Sequence, residues 1–344
     1  MAETEAATTA ITANASGNGN TFNVGTRASP LAVAQARLVV ANLQKLFPDH
    51  EFPIHAMTTT GDRDQKTALY NFGNKGLWTT QLEEKLVDGE LDFVVHCLKD
   101  MPTALPEGCV LGCVTDREDP RDTLVIKPAL AAKHGWKTLA DLPAGSVVGT
   151  SSIRRIAQLA RRYPALKFKD HRGNIQTRLK KLEDDDELSA IILAAAGLQR
   201  MDLGDRISQF LDSDNGGIMW AVGQGALTVE CRAGDDRVLA LLQQLEDHQT
   251  MLACEAERSV MRTLEGGCSV PIGVETHWVD GKLRLRATVV TVDGSKAVDA
   301  EASEAISSRE AADAFGQKLA LELVSRGADK ILDEVNASRP KPAQ

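Results

Sequence analysis

Two rhythms of apolar and polar positions divide the chain. Up to about Gln243, short apolar runs alternate with longer amphipathic stretches. Phe93–Cys97, Val110–Val114, Thr123–Ile126 and Ala190–Ala195 read as strands, and Thr79–Val87 reads as a helix with Thr80 and Glu83 as a capping box. Alternation of this kind predicts α/β layers built on mainly parallel sheets. After Gln243 the rhythm changes. A helix is expected from His248 to Leu264, then alternating strands broken at Asp280-Gly281 and Asp293-Gly294, which are hairpin dipeptides. Ser307 and Glu310 are placed to cap a closing helix that runs to about Val324, with Gly327 as its stop.

The first part also repeats itself. FNVGTRASPLAVAQARLVVANLQKLFP and SVVGTSSIRRIAQLARRYP share a short strand, Val-Gly-Thr, a serine, and an amphipathic helix ending at aromatic-Pro. Ser29 suits the N-cap of the first helix and Pro30 its first turn, while Ser151 or Ser152 caps the second. Gly25 and Gly149 are expected to let the chain turn tightly after each strand. Both units end in a strand-to-helix turn whose free N–H groups suit a carboxylate or phosphate. Two polar stretches, DREDPR (116–121) and DSDNGG (212–217), read as crossings between two lobes. The expected division is a first lobe over 21–116 and 217–240, a second over 120–213, and a third, α+β unit over 243–338. Residues 1–20 read as a disordered leader, neither signal nor transit peptide. The closing SRPKPAQ reads as a frayed tail.

Composition narrows the class. The 344 residues are 43% hydrophobic and 25% charged, ordinary for a globular chain. No apolar run approaches the ~20 residues of a membrane helix. Six scattered cysteines do not make a disulfide scaffold, and Cys109 and Cys113 lack a second pair at zinc spacing. The expectation is a reduced, metal-free, cytoplasmic monomer with no membrane partner. Net charge is −9, yet Arg154 to Lys181 is crowded with arginine and lysine and opposed only by Asp170. A local basic field on an acidic chain suits a small polyanion. Nucleic acid is disfavoured, because no interleaved aromatics accompany the arginines. The acidic run EDDDE, 183–187, reads as a solvated loop.

Candidate chemistry gathers at a few stretches. In LEGGCSVPIG, the glycines and proline around Cys268 expose a thiol that buried packing alone would not require. It reads as a nucleophile or an attachment point. HCLKDMP puts Lys99 and Asp100 at the end of a strand, where α/β proteins place working residues. Asp100 there can steady a cation or pass a proton, and His96 reads as structural. Arg154 and Arg155 begin a helix, where cations oppose the helix dipole, so a bound anion explains them better than solvent does. Arg172, Arg178 and Arg200 follow similar apolar segments, and an arginine array suits a ligand with several carboxylates. VGQGAL completes no dinucleotide pattern and reads as a tight turn re-entering the first lobe.

Taken in order, VGTRASPLA, HCLKDMP, GTSSIRR, HRGNIQTRL, AAAGLQR, AVGQGAL and LEGGCSVPIG resemble the porphobilinogen deaminase family, also called hydroxymethylbilane synthases. The resemblance is strong over 23–274 and looser beyond. It implies two lobes like those of type II periplasmic binding proteins, on a hinge, plus a small α+β third domain. It implies a dipyrromethane cofactor held by a thioether to Cys268. The implied reaction joins four porphobilinogen molecules head to tail with loss of ammonia, deamination giving an electrophile that the free α-carbon of the bound chain attacks. Water then releases the linear tetrapyrrole hydroxymethylbilane. By the same resemblance Asp100 assists proton transfer. Arg27, Ser29, Lys99, Ser151, Arg154, Arg155, Arg172, Arg178 and Arg200 fall on positions that bind cofactor or substrate carboxylates. The chain departs from the family pattern at Cys97, where serine is usual, and at Thr80 and Gln81, where Lys-Glu is common. EDDDE and the leader look particular to this chain.

Two rivals use fewer of these features. A non-catalytic two-lobed polycarboxylate-binding protein explains the arginines and leaves Cys268 and Asp100 idle. A cysteine hydrolase or amidotransferase uses the thiol but calls for a histidine partner and no arginine array.

Overall fold

A computed structural model describes residues 19–59, 61, 78–264 and 270–337. Cys268, the leader to residue 18 and the tail beyond Ala337 lie outside the described residues.

The first sheet grows from the first of the two repeated units. Strand β1 (Val24–Arg27) leads into α1 (Pro30–Leu46) and β2 (Ile54–Met57). Ser29 Oγ accepts the Ala32 N–H at 3.4 Å as the N-cap, and Pro30 starts the first turn. Ala36, Val39 and Leu43 recur at helical spacing and are buried against Val24, Phe93 and Val95. Next come α2 (Thr80–Val87), β3 (Phe93–Cys97) and β4 (Cys109–Val114). Helix α2 covers the opposite face with Leu82 and Leu86 packed beside Val94. Its cap is Thr79, which makes no side-chain capping bond, so the expected Thr80–Glu83 box does not form.

The chain then crosses to a second sheet. Its elements are β5 (Asp122–Ile126), α3 (Pro128–His134), β6 (Val147–Gly149), α4 (Ile153–Arg162), β7 (Lys167–Lys169), α5 (Ile175–Asp184), β8 (Leu188–Ala194), α6 (Ala195–Arg200) and β9 (Gln209–Leu211). The return crossing ends in β10 (Leu227–Arg232), followed by α7 (Asp236–Leu242). The strand orders are β2-β1-β3-β10-β4 and β7-β6-β8-β5-β9. In each sheet the first three strands are parallel, and the fourth runs antiparallel to both neighbours. The fourth strand is in each case the first one laid down after a crossing. The two lobes therefore share one topology, and β1–α1 corresponds to β6–α4, the pair that echo each other in sequence.

One expected cause is different. Gly25 and Gly149 are absent from the left-handed backbone positions; they are glycine because neighbours crowd them. A Cβ at Gly25 would lie 2.6 Å from Leu91 Cδ1, and one at Gly149 would lie 2.9 Å from Ile191 Cγ2 and 3.0 Å from His171 Cγ.

The third unit packs α8 (His248–Thr263) and α9 (Arg309–Ser325), followed by α10 (Ala328–Ala337), over an antiparallel sheet. That sheet is β11 (Ile272–Val279), β12 (Lys282–Val290) and β13 (Ala297–Glu304). Asp280 and Gly281 both have positive φ, 49° and 73°, as a two-residue hairpin turn requires. Ser308, not Ser307, caps α9, its Oγ accepting the Ala311 N–H at 3.2 Å. The return crossing is tied to this unit, because Trp220 and Val274 exchange both backbone hydrogen bonds, at 3.0 and 2.9 Å.

Candidate functional site

The two lobes face each other across a cleft of about 760 Å³. The C-terminal ends of the parallel strands open into it, as expected for α/β sheets. From the first lobe, the β1–α1 turn supplies Arg27 and Ser29, and a short 3-10 turn after β3 supplies Lys99 and Asp100. From the second, β6–α4 supplies Ser151, Arg154 and Arg155, β7–α5 supplies Arg172 and Arg178, and α6 ends in Arg200. Val270 and Ile272 close a third side, immediately past the segment that holds Cys268. All ten of the other residues singled out in the sequence thus line one cavity. Seven are cationic, and Asp100 is the one acidic side chain among the described lining residues.

The structure sorts the crowded basic run. Arg161 pairs with Asp299 at 2.8 Å, Lys169 with Asp185 and Glu187 at 2.7 Å, and Lys180 with Asp184 at 2.6 Å, all on the outside. The EDDDE run is thus not a purely solvated loop; it ends α5 and grips these lysines. Four arginines of the run, Arg154, Arg155, Arg172 and Arg178, turn inward.

The anion that Arg154 and Arg155 need is internal. Asp122, the first residue of β5, is fully buried and accepts from Arg154 Nη1 at 2.8 Å and from Arg155 Nη2 at 2.7 Å and Nε at 3.1 Å. Burial alone would raise the Asp122 carboxyl, but the two guanidiniums outweigh it and hold the group well below the usual carboxylate range. Sequence spacing gave no signal for this residue. Gln224 was missed as well, inside the turn VGQGAL. Its Nε2 donates to Asp122 Oδ1 at 2.9 Å and to the Pro120 carbonyl at 2.7 Å, and its Oε1 accepts from Lys99 Nζ at 3.4 Å. One amide therefore joins the lysine of the first lobe to the carboxylate of the second.

The other cations line the same cavity. Arg27 stacks on Trp78 at 3.9 Å and stands 3.9 Å from Asp100 Oδ2. Burial lowers the Lys99 ammonium, Arg155 adds to that, and Asp100 opposes it. Arg178 is brought down to about 10 by burial and by Arg155 and Arg172, with Asp100 and Asp170 opposing. Arg200 donates from Nη2 to the Gly225 carbonyl at 2.7 Å, while its buried Nε has no partner among the described residues. Among the described lining residues the cations outnumber the acids seven to one. Such donors suit a group rich in carboxylates, so the residues fit a dipyrromethane with its acetate and propionate arms. Cys97 sits in the cleft wall, its Sγ 3.0 Å from Gln35 Nε2, and burial pushes its thiol up. His96 points to the opposite face of β3, where its Nε2 meets Glu230 Oε2 at 3.1 Å, a structural position.

Comparison with known families settles the relationship. The family described as porphobilinogen deaminase, dipyromethane cofactor binding domain, matches residues 22–240, and the porphobilinogen deaminase C-terminal domain matches 251–325. The chain belongs to the porphobilinogen deaminase family. It is 56% identical to the porphobilinogen deaminase of Neurospora crassa, over 93% of this chain and 95% of that one. It is 49% identical to that of Synechococcus elongatus, over 93% and 97%. Among solved structures the methionine binding protein MetQ is similar at 12% identity and a TM-score of 0.39, over 70% of this chain and 92% of that one, too distant to bear on the site. Like the rest of the porphobilinogen deaminase family, the chain is a transferase of tetrapyrrole synthesis that works with a dipyrromethane cofactor. No helix among the described residues is long and apolar enough to cross a membrane.

Proposed function

We propose that the cleft between the lobes is where four porphobilinogen units are joined into hydroxymethylbilane, with Asp100 as the catalytic carboxylate and Cys268 as the covalent anchor. The observation that carries this reading is that, among the described lining residues, seven cations surround a single acid. When bound, the dipyrromethane supplies the free pyrrole carbon onto which the units are added. Arg27, Arg172, Arg178 and Arg200 bind acetate and propionate groups, Ser29 and Ser151 donate hydrogen bonds at the two helix N-termini, and Lys99 adds a charge beside Asp100. Arg154 and Arg155 hold the second lobe's rim through Asp122 and present their remaining N–H groups to the ligand. Asp100 Oδ2 gives a proton to the departing amine and takes one back from the substituted pyrrole carbon, and the Arg27 guanidinium 3.9 Å away keeps the carboxylate aimed. The lobes, taken as 21–116 with 217–240 and as 120–213, and the third unit, 243–338, adjust about the two crossings as the chain lengthens. The reading is of a cytoplasmic monomer with no nucleic-acid partner.

Intact mass of the purified protein, before and after incubation with porphobilinogen, tests it. Wild type should exceed its sequence mass by two porphobilinogen-derived units, and Cys268→Ser should not. Asp100→Asn should fold and bind, while ammonia release falls about 10²–10⁴-fold, the range for loss of a general acid–base group. An unmodified wild type after incubation, or an unimpaired Asp100→Asn, would sink the assignment.

A further inference from the structure

The face of the first sheet covered by α2 holds a polar cluster that the reaction does not use. Glu83 on α2 is 5% exposed, and Glu230 on β10 is 0% exposed. His96 on β3 touches Glu230, Nε2 to Oε2 at 3.1 Å. Three buried oxygens here, Thr79 Oγ1, Glu83 Oε1 and Glu230 Oε1, have no hydrogen-bond partner among the described residues. The other charged or titratable groups facing the cluster are Glu84 from α2, Arg232 from β10 and Cys109 from β4. Arg232 is committed elsewhere, to the Leu86 and Leu91 carbonyls at 2.8 and 2.6 Å and to Asp235 at 2.6 Å. The Cys109 thiol is pushed up to about 11 by burial and by Glu230 and Glu83, so it is uncharged.

Ionised carboxylates only accept hydrogen bonds, so with the His96 contact going to Glu230, an ionised Glu83 and Glu230 leave their spare oxygens without a donor. They also leave an uncompensated negative charge in an apolar core of Leu82, Leu86, Leu91 and Val94. One added proton removes both problems. We propose that Glu83 holds a proton at neutral pH and, grouped with Glu230 and His96, forms a triad that fastens α2 to the strand ending at the Asp100 turn. Burial pushes the Glu83 carboxyl up and Glu230 adds to it, against the nearby Thr79 hydroxyl and His96. Glu83 is a positioning residue. Helix α2 starts two residues after Trp78, whose ring stacks on Arg27 at 3.9 Å, so the attachment of α2 sets one wall of the cleft.

The sign of the pH dependence follows. A carboxyl raised in the folded state binds more protons there than in the unfolded chain. Stability is full below the unfolded value and is lost as pH climbs through the folded one. In protein carrying its cofactor and ¹³C-labelled at glutamate carboxyls, one signal should titrate well above the ordinary glutamate range and vanish in Glu83→Gln. The melting temperature of wild type should fall more than that of Glu83→Gln between about pH 6 and about pH 9. A Glu83 carboxyl titrating in the ordinary range, or parallel melting profiles, overturns the triad. If the glutamine variant does not fold, Glu83→Asp supplies the assignment, and the wild-type titration alone decides.

Discussion

Asp122 lies fully buried between two guanidiniums, and the consequence of removing its charge can be worked out. Asp122→Asn keeps an oxygen for Arg154 and Arg155 but leaves two buried cations without a counter-charge. Breaking a buried pair in this way costs about 3–5 kcal/mol, to be read from urea unfolding of the cofactor-bearing protein. The pH dependence has the opposite sign to that of Glu83. With its folded value depressed, Asp122 contributes stability that is present above its unfolded value near ~4 and lost as pH falls further. The acid limb of the wild-type stability curve should therefore be steeper than the variant's by up to about 1.4 kcal/mol per pH unit. Equal slopes would mean that the pair carries no such linkage. At this scale the sequence was half legible. Two arginines at a helix N-terminus do announce an anion, because they oppose the dipole. That the anion is the protein's own Asp122 could not be read, since β5 meets β6–α4 only across an intervening strand. Gln224 was hidden for the same reason: its partners, Lys99, Pro120 and Asp122, lie far from it in sequence.

At the scale of elements, periodicity and capping chemistry place helices well and their first residues less well. Ser307 and Ser308 both suit an N-cap, and both precede acids within reach of the first turn. The structure chooses Ser308, whose extended backbone (φ −141°, ψ 163°) and hydroxyl meet the Ala311 N–H. Ser308→Ala should cost about 1 kcal/mol, whereas Ser307→Ala should change the unfolding midpoint little; equal losses would disprove the assignment. Strand positions were legible as short continuous apolar runs because these strands are covered on both faces. Phe93 and Val95 face α1, while Val94 and His96 face α2. The repeated Val-Gly-Thr units were legible as well, since both lobes require the same strand-to-helix turn. Their glycines were read for the wrong cause: conformational freedom is visible in a sequence, but the Leu91 and His171 side chains that crowd them are not.

At the scale of the whole molecule, one buried pair ties both crossings to the third unit. Arg117, in the outgoing crossing, donates to Glu257 of α8 through Nη1 at 2.7 Å and Nη2 at 3.0 Å, and through Nε to the Gln224 carbonyl at 2.8 Å. Glu257 is fully buried and accepts three further hydrogen bonds, from Gly223 N at 2.8 Å, Thr276 Oγ1 at 2.5 Å and Trp220 Nε1 at 3.4 Å. Hydrogen bonds from the return crossing and from β11 thus converge on one carboxylate. Burial opposes the Arg117 charge, but Glu257 more than restores it, and the guanidinium stays ionised. Lobe movement about the crossings must therefore pivot on this point or break it. Glu257→Gln leaves Arg117 buried and uncompensated, and the loss should be about 3–5 kcal/mol. Arg117→Met in that background should cost much less than Arg117→Met alone, with a coupling of about 0.5–3 kcal/mol by double-mutant cycle. Strict additivity would show that the two residues act independently. The same cycle followed by ammonia release separates pivot from scaffold. If the pair is a pivot, each single variant alters turnover even under conditions where it is fully folded, because the lobes no longer share a fixed axis. If it is only scaffold, turnover per folded molecule stays at the wild-type value.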